Sequence, residues 1–192
     1  PMGGFIKQVM VKEGQYVQAG TPLATVSKNK KLILQVQVSQ NYFNQLASIT
    51  SANFKNAEGT VYSTKELKGT ILSYGRSASA NSPFIPVTFE IDNIGNIIPG
   101  SVVEVFLKSN PIPDALVIPV TSLVEEQGIF YVYVQTAGES FQKQEVKLGA
   151  NDGIHVQILN GISENERVVT KGGYQIKLAT ASGALPAHGH EH

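Results

Sequence analysis

Near its start the chain has a segment of recurring apolar residues that is interrupted by glycines, GFIKQVMVKEGQYVQAGTPLATV (residues 4–26). Gly14 and Gly20 lie where short strands must reverse. Five apolar residues on either side of these turns are predicted to face a core: Val9, Val11, Val17, Leu23 and Val26. This pattern predicts one half of a β-sandwich whose core side is exposed. We expect the other half upstream of Pro1 or in another chain, which argues against a self-contained enzyme.

A second segment begins with LILQVQV (residues 32–38), whose strict alternation predicts a half-buried strand. Ser39 is a suitable N-cap for a short helix, SQNYFNQL, because its hydroxyl can accept a free amide hydrogen bond. Further strands are predicted at residues 58–63, 69–74, 84–92 and 102–108, between clusters of turn-forming residues. These elements predict a small antiparallel β-barrel with one short helix.

A third segment starts with ALVIPVTSLVEEQGIFYVYVQ, in which Pro119 predicts an edge strand or bulge and Gly128 a turn. Apolar pairs followed by turn residues predict further strands; the pairs are Val146 and Leu148, Val156 and Ile158, and Val168 and Val169. No helix is expected at Gly172 and Gly173. The predicted divisions are residues 1–30, 31–109, 110–182 and a mobile tail, 183–192.

Composition narrows the functional class. Of 192 residues, 42% are hydrophobic, and no apolar run reaches the length of about 18–20 residues that a membrane helix needs. Fifteen basic and fifteen acidic residues cancel, so the chain lacks the basic surface typical of nucleic-acid binding. The chain has no cysteine, which excludes disulfides, thiolate metal sites and cysteine nucleophiles.

In their order along the chain and in their sequence motifs, the three segments resemble the periplasmic adaptor proteins, also called membrane fusion proteins, of bacterial efflux pumps. PMGGFIKQVMVKEGQYVQAGTPLATV is similar to the second half of the family's lipoyl-like domain. The first and last segments of the family's β-barrel are similar to LILQVQVSQNYFNQL and DNIGNIIPGSVVEVFL, respectively. In the second of these, the resemblance implies that a strand ends at Asp92 and Asn93 and that Pro99 and Gly100 form the turn into the last strand. ALVIPVTSLV, EVKLGANDGIHVQILNGISENERVV and KGG resemble its membrane-proximal domain.

The resemblance implies a mainly β chain of half a lipoyl-like sandwich, a barrel and a membrane-proximal β domain in series. It also implies absent parts: the first lipoyl half, the α-helical hairpin and the first stretch of the membrane-proximal domain. Many relatives carry a threonine-arginine pair where this chain reads NSPFIPV, and Arg76 is not its clear equivalent. Any role of that arginine therefore does not transfer.

The tail alternates His188, His190 and His192 with Gly189 and Glu191. In an extended chain, residues two apart point the same way, so the three imidazoles could bind one zinc, copper, nickel or cobalt ion. Binding requires neutral imidazole and should weaken below about pH 6. The alternative is a solvated tail, and the resemblance favours metal because one branch of the family serves heavy-metal efflux.

Enzyme readings find little support. His155 lies in a predicted strand without a second ligand nearby, Glu125 and Glu126 flank a turn, and Gly172–Gly173 lacks the Lys-Ser/Thr of a phosphate loop. A biotinyl or lipoyl carrier would modify a lysine near Lys30, but the flanking SKNKK differs from a carrier's Glu-x-Met-Lys-Met. Met2 and Met10 are the only thioethers, too few for a Cu(I) site.

We therefore expect a non-enzymatic adaptor without a cofactor, in a tripartite efflux system of the resistance-nodulation-division type, for heavy-metal cations or, alternatively, organic compounds. The resemblance implies an inner-membrane transporter, an outer-membrane channel and further adaptor copies as partners. It places the protein in the periplasm, held at the inner membrane through an N-terminal region. Hinges are expected near residues 28–31 and 110–114.

Overall fold

The computed structural model describes residues 4–27, 30–75, 83–94 and 97–181. These ranges are mainly β-structure, as the sequence predicts. They fall into two compact units that divide between Val105 and Phe106. The predicted boundaries at residues 30 and 109 stay predictions.

The first unit begins with an antiparallel pair, β1 (Phe5–Val9) and β2 (Ala24–Ser27). Beyond the strands, the Met10 amide donates to the Leu23 carbonyl at 2.9 Å. Gly14 and Gly20 both have positive φ, at 78° and 91°, so both predicted reversals occur at residues that tolerate this conformation.

Six strands follow along the chain, the last of which runs past the division at Val105: β3 (Lys31–Ser39), β4 (Ser51–Lys55), β5 (Val61–Ser63), β6 (Thr70–Tyr74), β7 (Phe84–Asp92) and β8 (Glu104–Lys108). They form two three-stranded sheets, ordered β3-β7-β6 and β5-β4-β8. Within the described ranges, no strand pairing joins the two sheets into a closed barrel. The central strand β7 buries Ile85, Val87, Phe89 and Ile91 on one face.

The helix predicted after Ser39 is present as a 3-10 helix, Gln40–Ser48. The Ser39 hydroxyl accepts from the Asn41 amide at 3.4 Å, and Leu46 is buried. The predicted corner also forms, since β7 ends at Asp92 and the Ser101 amide donates to the Ile98 carbonyl across Pro99 and Gly100. Gly100 has φ 86°, as the third residue of a type II turn requires.

The second unit contains β9 (Val117–Pro119), β10 (Val124–Glu126), β11 (Ile129–Ala137), β12 (Ser140–Glu145), β13 (Lys147–Asn151), β14 (His155–Asn160) and β15 (Arg167–Val168). A single 3-10 turn, Val120–Ser122, follows β9. One sheet is ordered β13-β14-β9, and the other is β10-β11-β12 with β15 beside β11. The core is the cluster Ile118, Val132, Val134, Val146, Val156 and Ile158. Pro119 ends an edge strand, as predicted.

The chain then forms helix α1 (Gly173–Ala181), so the expectation of no helix at Gly172 and Gly173 is wrong. Gly172 has φ 89°, which turns the backbone into the helix, and its carbonyl accepts from the Ile176 amide at 3.1 Å. The residues that follow include good helix formers, Lys177, Leu178 and Ala179 among them. None of the helices in the described ranges is long and apolar enough to cross a membrane.

Candidate functional site

The residues of the N-terminal pair that the sequence assigns to a core are accessible in this chain. Val9, Leu23 and Val26 are 60%, 51% and 45% exposed, and Ile6 is 66% exposed. Together with Met10 these residues are the hairpin patch. So many accessible apolar side chains on one short strand pair are typical of a surface that binds a partner.

A second candidate surface is an open cavity of about 310 Å³ within the second unit. It lies between residues 107–117 and the β13–β14 hairpin, and we call it the C-terminal groove. Its apolar lining is Leu107, Pro111, Ile112, Ala115, Val117 and Ala150. A few polar side chains accompany these residues, among them Lys108, Asp152 and His155.

Asp152 organises one wall of this groove. Its Oδ1 accepts from the amides of Ile154 and His155 at 3.0 and 2.7 Å, and its Oδ2 lies 3.4 Å from Lys108 Nζ. Partial burial by itself would raise the pKa of Asp152, but the His155 and Ile154 amides and the Lys108 ammonium outweigh it and lower the pKa overall. The carboxylate is therefore held ionised as a structural acceptor.

Gly153 fixes the turn beside Asp152. It has φ 85°, and a Cβ at this position would lie 2.7 Å from the Phe106 ring. The Asn151 side chain accepts from the Gly153 amide at 2.7 Å. The turn thus requires glycine for both backbone conformation and space.

A third cluster surrounds Glu126 at the end of β10. Its Oε2 lies 2.5 Å from Lys143 Nζ on β12, and its Oε1 lies 3.5 Å from Lys177 Nζ on α1. The hydrogen bond from Lys143 is the main cause that lowers the pKa of Glu126, and the same bond raises the pKa of Lys143. Lys143 also lies over the Tyr131 ring, 4.0 Å from its centroid.

The predicted metal ligands His188, His190 and His192 lie outside the described residues, as do Met2 and Arg76. Their role stays a prediction. Among the residues that the structure does describe, no group of three or more His, Cys, Asp or Glu could hold a metal ion.

The other residues singled out in the sequence are dispersed. His155 lies in a strand, as predicted, and is exposed where β14 begins. Lys30 is exposed, and its carbonyl accepts from the Asn93 amide at 2.9 Å. Glu126 is engaged by two lysines. Asp152 and Lys177 are not evident as site residues from the sequence pattern, although the Asn-Asp-Gly turn signal indicates a structural role for Asp152.

Comparison with known proteins finds a family match within the second unit. Residues 116–177 match the family model of the CzcB C-terminal circularly permuted SH3-like domain. Over a longer range, the chain is 26% identical to the multidrug resistance protein MdtA of Pantoea ananatis, across 90% of this chain and 43% of that protein. It is 24% identical to the membrane fusion protein MtrC of Neisseria gonorrhoeae, across 96% of this chain and 47% of that protein.

Over nearly its whole length, the chain is similar to a membrane fusion protein. This similarity confirms the resemblance to periplasmic adaptors that the sequence motifs indicate. The chain spans about half the length of the curated relatives it matches. Among solved structures, ZneB from Cupriavidus metallidurans is 22% identical with a TM-score of 0.42, covering 89% of this chain and 49% of that one.

Proposed function

We propose that this membrane fusion protein relative is a non-enzymatic periplasmic adaptor of a tripartite efflux system of the resistance-nodulation-division type. It would link an inner-membrane transporter to an outer-membrane channel and associate with further adaptor copies, held at the inner membrane through an N-terminal region. The observation that carries the proposal is similarity to MdtA and MtrC across at least 90% of the chain. The hairpin patch supports it, because a partner-dependent protein needs such a surface.

The test is complementation of an efflux-deficient deletion strain with the full-length protein, combined with affinity capture of the co-encoded transporter. We expect restored efflux and a captured transporter. Val9→Lys should abolish both by placing a charge in the hairpin patch, the face on which the other half of the sandwich is expected to pack. Gln8→Lys adds the same charge at a neighbouring exposed polar position and should retain both. Efflux that the full-length protein does not restore, with no transporter captured, would contradict the proposal.

We further propose that the exported cargo is a heavy-metal cation, which the tail histidines His188, His190 and His192 collect. The support is their alternating spacing, which brings imidazoles to one side of an extended chain. Isothermal titration of Zn²⁺, Cu²⁺, Ni²⁺ and Co²⁺ should give binding that disappears in a chain ending at Gly183. A variant with all three histidines changed to glutamine keeps the tail length and should behave like the shortened chain.

Organic-compound efflux is the second candidate, because the MdtA relatives are named multidrug resistance proteins. Growth of the deletion strain on graded metal salts and on graded antibiotics or dyes distinguishes the two. Sensitivity confined to metals, and rescued only with the tail histidines present, favours metal cargo. Sensitivity confined to organic compounds, and rescued without those histidines, favours the alternative.

A further inference from the structure

Helix α1 packs only lightly on the second unit. Among residues 173–180 only Gly173 is buried. Ile176, Lys177 and Ala179 are partly buried, and Tyr174 and Leu178 are 59% and 51% exposed. A helix of nine residues is marginal in isolation, so its persistence depends on what attaches it to the sheet.

Its attachment combines a close backbone contact with an ion pair. A Cβ on Gly173 would lie 3.1 Å from Val124 and 3.7 Å from Tyr133, so the backbone of α1 lies directly over these two buried side chains. One turn further on, Lys177 lies 3.5 Å from Glu126, the carboxylate that Lys143 also engages.

We propose that α1 is a releasable strap whose docking is set by ionic strength through the Lys177–Glu126 pair. Release of the strap uncovers an apolar and aromatic surface that includes Val124 and Tyr133. This inference concerns the second unit alone and does not depend on the proposed efflux role.

Salt acts on this pair because both side chains keep access to solvent. The Lys177 and Glu126 side chains are 29% and 27% exposed. Between about 0.05 and 0.5 M salt, the screening length falls from about 14 Å to about 4 Å, close to the separation of the two charged groups. The apolar core of the unit is insensitive to this change, so salt should loosen α1 selectively.

The absence of cysteine permits a direct test with single thiol probes. Val124→Cys places a thiol beneath Gly173, and Val156→Cys places the control in the core of the same unit, at a residue only 1% exposed. Raising salt from about 0.05 to 0.5 M should speed labelling of the first by a thiol reagent about two- to five-fold and leave the second unchanged.

Charge variants made in the Val124→Cys background test whether the salt dependence of labelling arises from the Lys177–Glu126 pair. Lys177→Gln should give fast labelling at low salt and remove the salt response. Lys143→Gln is the matched control, because it removes a lysine from the same carboxylate but not from α1, and it should keep slow, salt-dependent labelling. If the Val124 probe labels no faster than the Val156 probe at any salt concentration, α1 does not open independently and the proposal fails.

If a cysteine substitution disturbs folding, amide hydrogen exchange of the chain without any substitution can test the release of α1 instead. Amides of residues 173–181 should exchange faster at high salt, while those of 156–158 should not. Equal responses in both segments would overturn the proposal.

Discussion

Gly153 shows how one residue can satisfy two demands, since its left-handed backbone and its contact with Phe106 both exclude a side chain. We expect Gly153→Ala to lower the free energy of unfolding by about 2–5 kcal/mol, the sum of backbone strain and overpacking. Chemical denaturation measures the change.

Gly128→Ala is the matched control, because Gly128 has a similar φ of 82° but nothing within 4 Å of its added Cβ. Gly128→Ala should lower the free energy of unfolding only by the strain of the left-handed backbone, about 1–2 kcal/mol. Equal losses for the two variants would show that the Phe106 contact contributes nothing.

Asp152 should make stability depend on pH. Its pKa is lower in the folded chain than in the unfolded one, so its contribution is present above the unfolded value and lost as pH falls through the folded value. Asp152→Asn should therefore destabilise the chain at about pH 7, and the difference from the original chain should shrink below about pH 4.

Urea midpoints of both proteins across this pH range measure the effect of Asp152. Glu164→Gln, at an exposed position, is the control and should leave the midpoint nearly unchanged at every pH. A difference for Asp152→Asn that grows on acidification would contradict the assignment.

At the scale of elements, the turn between β10 and β11 retains an unfavourable residue. Gln127 and Gly128 both have positive φ, 52° and 82°, which is the type I′ geometry that favours Asn-Gly. Gln127→Asn should raise the free energy of unfolding by a few tenths to about 1 kcal/mol, measured by thermal or urea unfolding. Gln142→Asn, in the exposed strand β12, should not stabilise, because asparagine disfavours strands.

The elements that sequence reasoning located are those whose burial alternates. β7 spans Phe84–Asp92, the range that the sequence predicts, and it is predictable because every second residue is buried. β4 was missed, since Ser51, Ala52, Asn53 and Phe54 are all buried and give no period of two. α1 is not evident from the sequence, because its apolar residues do not lie on one face and it begins at the second of two adjacent glycines.

For the candidate site, sequence could indicate the turn glycines and the apolar residues of the hairpin patch. It could not pair Glu126 with Lys177, which lie 51 positions apart and meet only through the fold. The Lys108 and Asp152 contact is likewise set by tertiary structure. Long-range charge contacts leave no local pattern along a chain.

At the scale of the whole molecule, the hairpin patch should make the chain bind apolar dyes. We expect the fluorescence of anilinonaphthalene sulfonate to rise in its presence and to fall when Ile6, Val9 and Leu23 are all changed to threonine. The control changes Ile129, Ile154 and Leu159, exposed residues of the second unit, to threonine. If both triple variants lose the same signal, the dye does not report the hairpin patch.

The antiparallel pairing of β3 with β7, a ladder of nine residue pairs, determines how this part of the protein would respond to mechanical tension. Its antiparallel register pairs Lys31 with Asp92, so the chain enters and leaves the nine-rung ladder at the same end. Tension applied through these two points would peel the rungs apart one at a time instead of shearing all of them together. Opening would start at the contacts of Lys31 with Asp92 and Glu90, at 2.9 and 3.3 Å. The ladder should therefore yield at low force and close again from its far end, at Ser39 and Phe84.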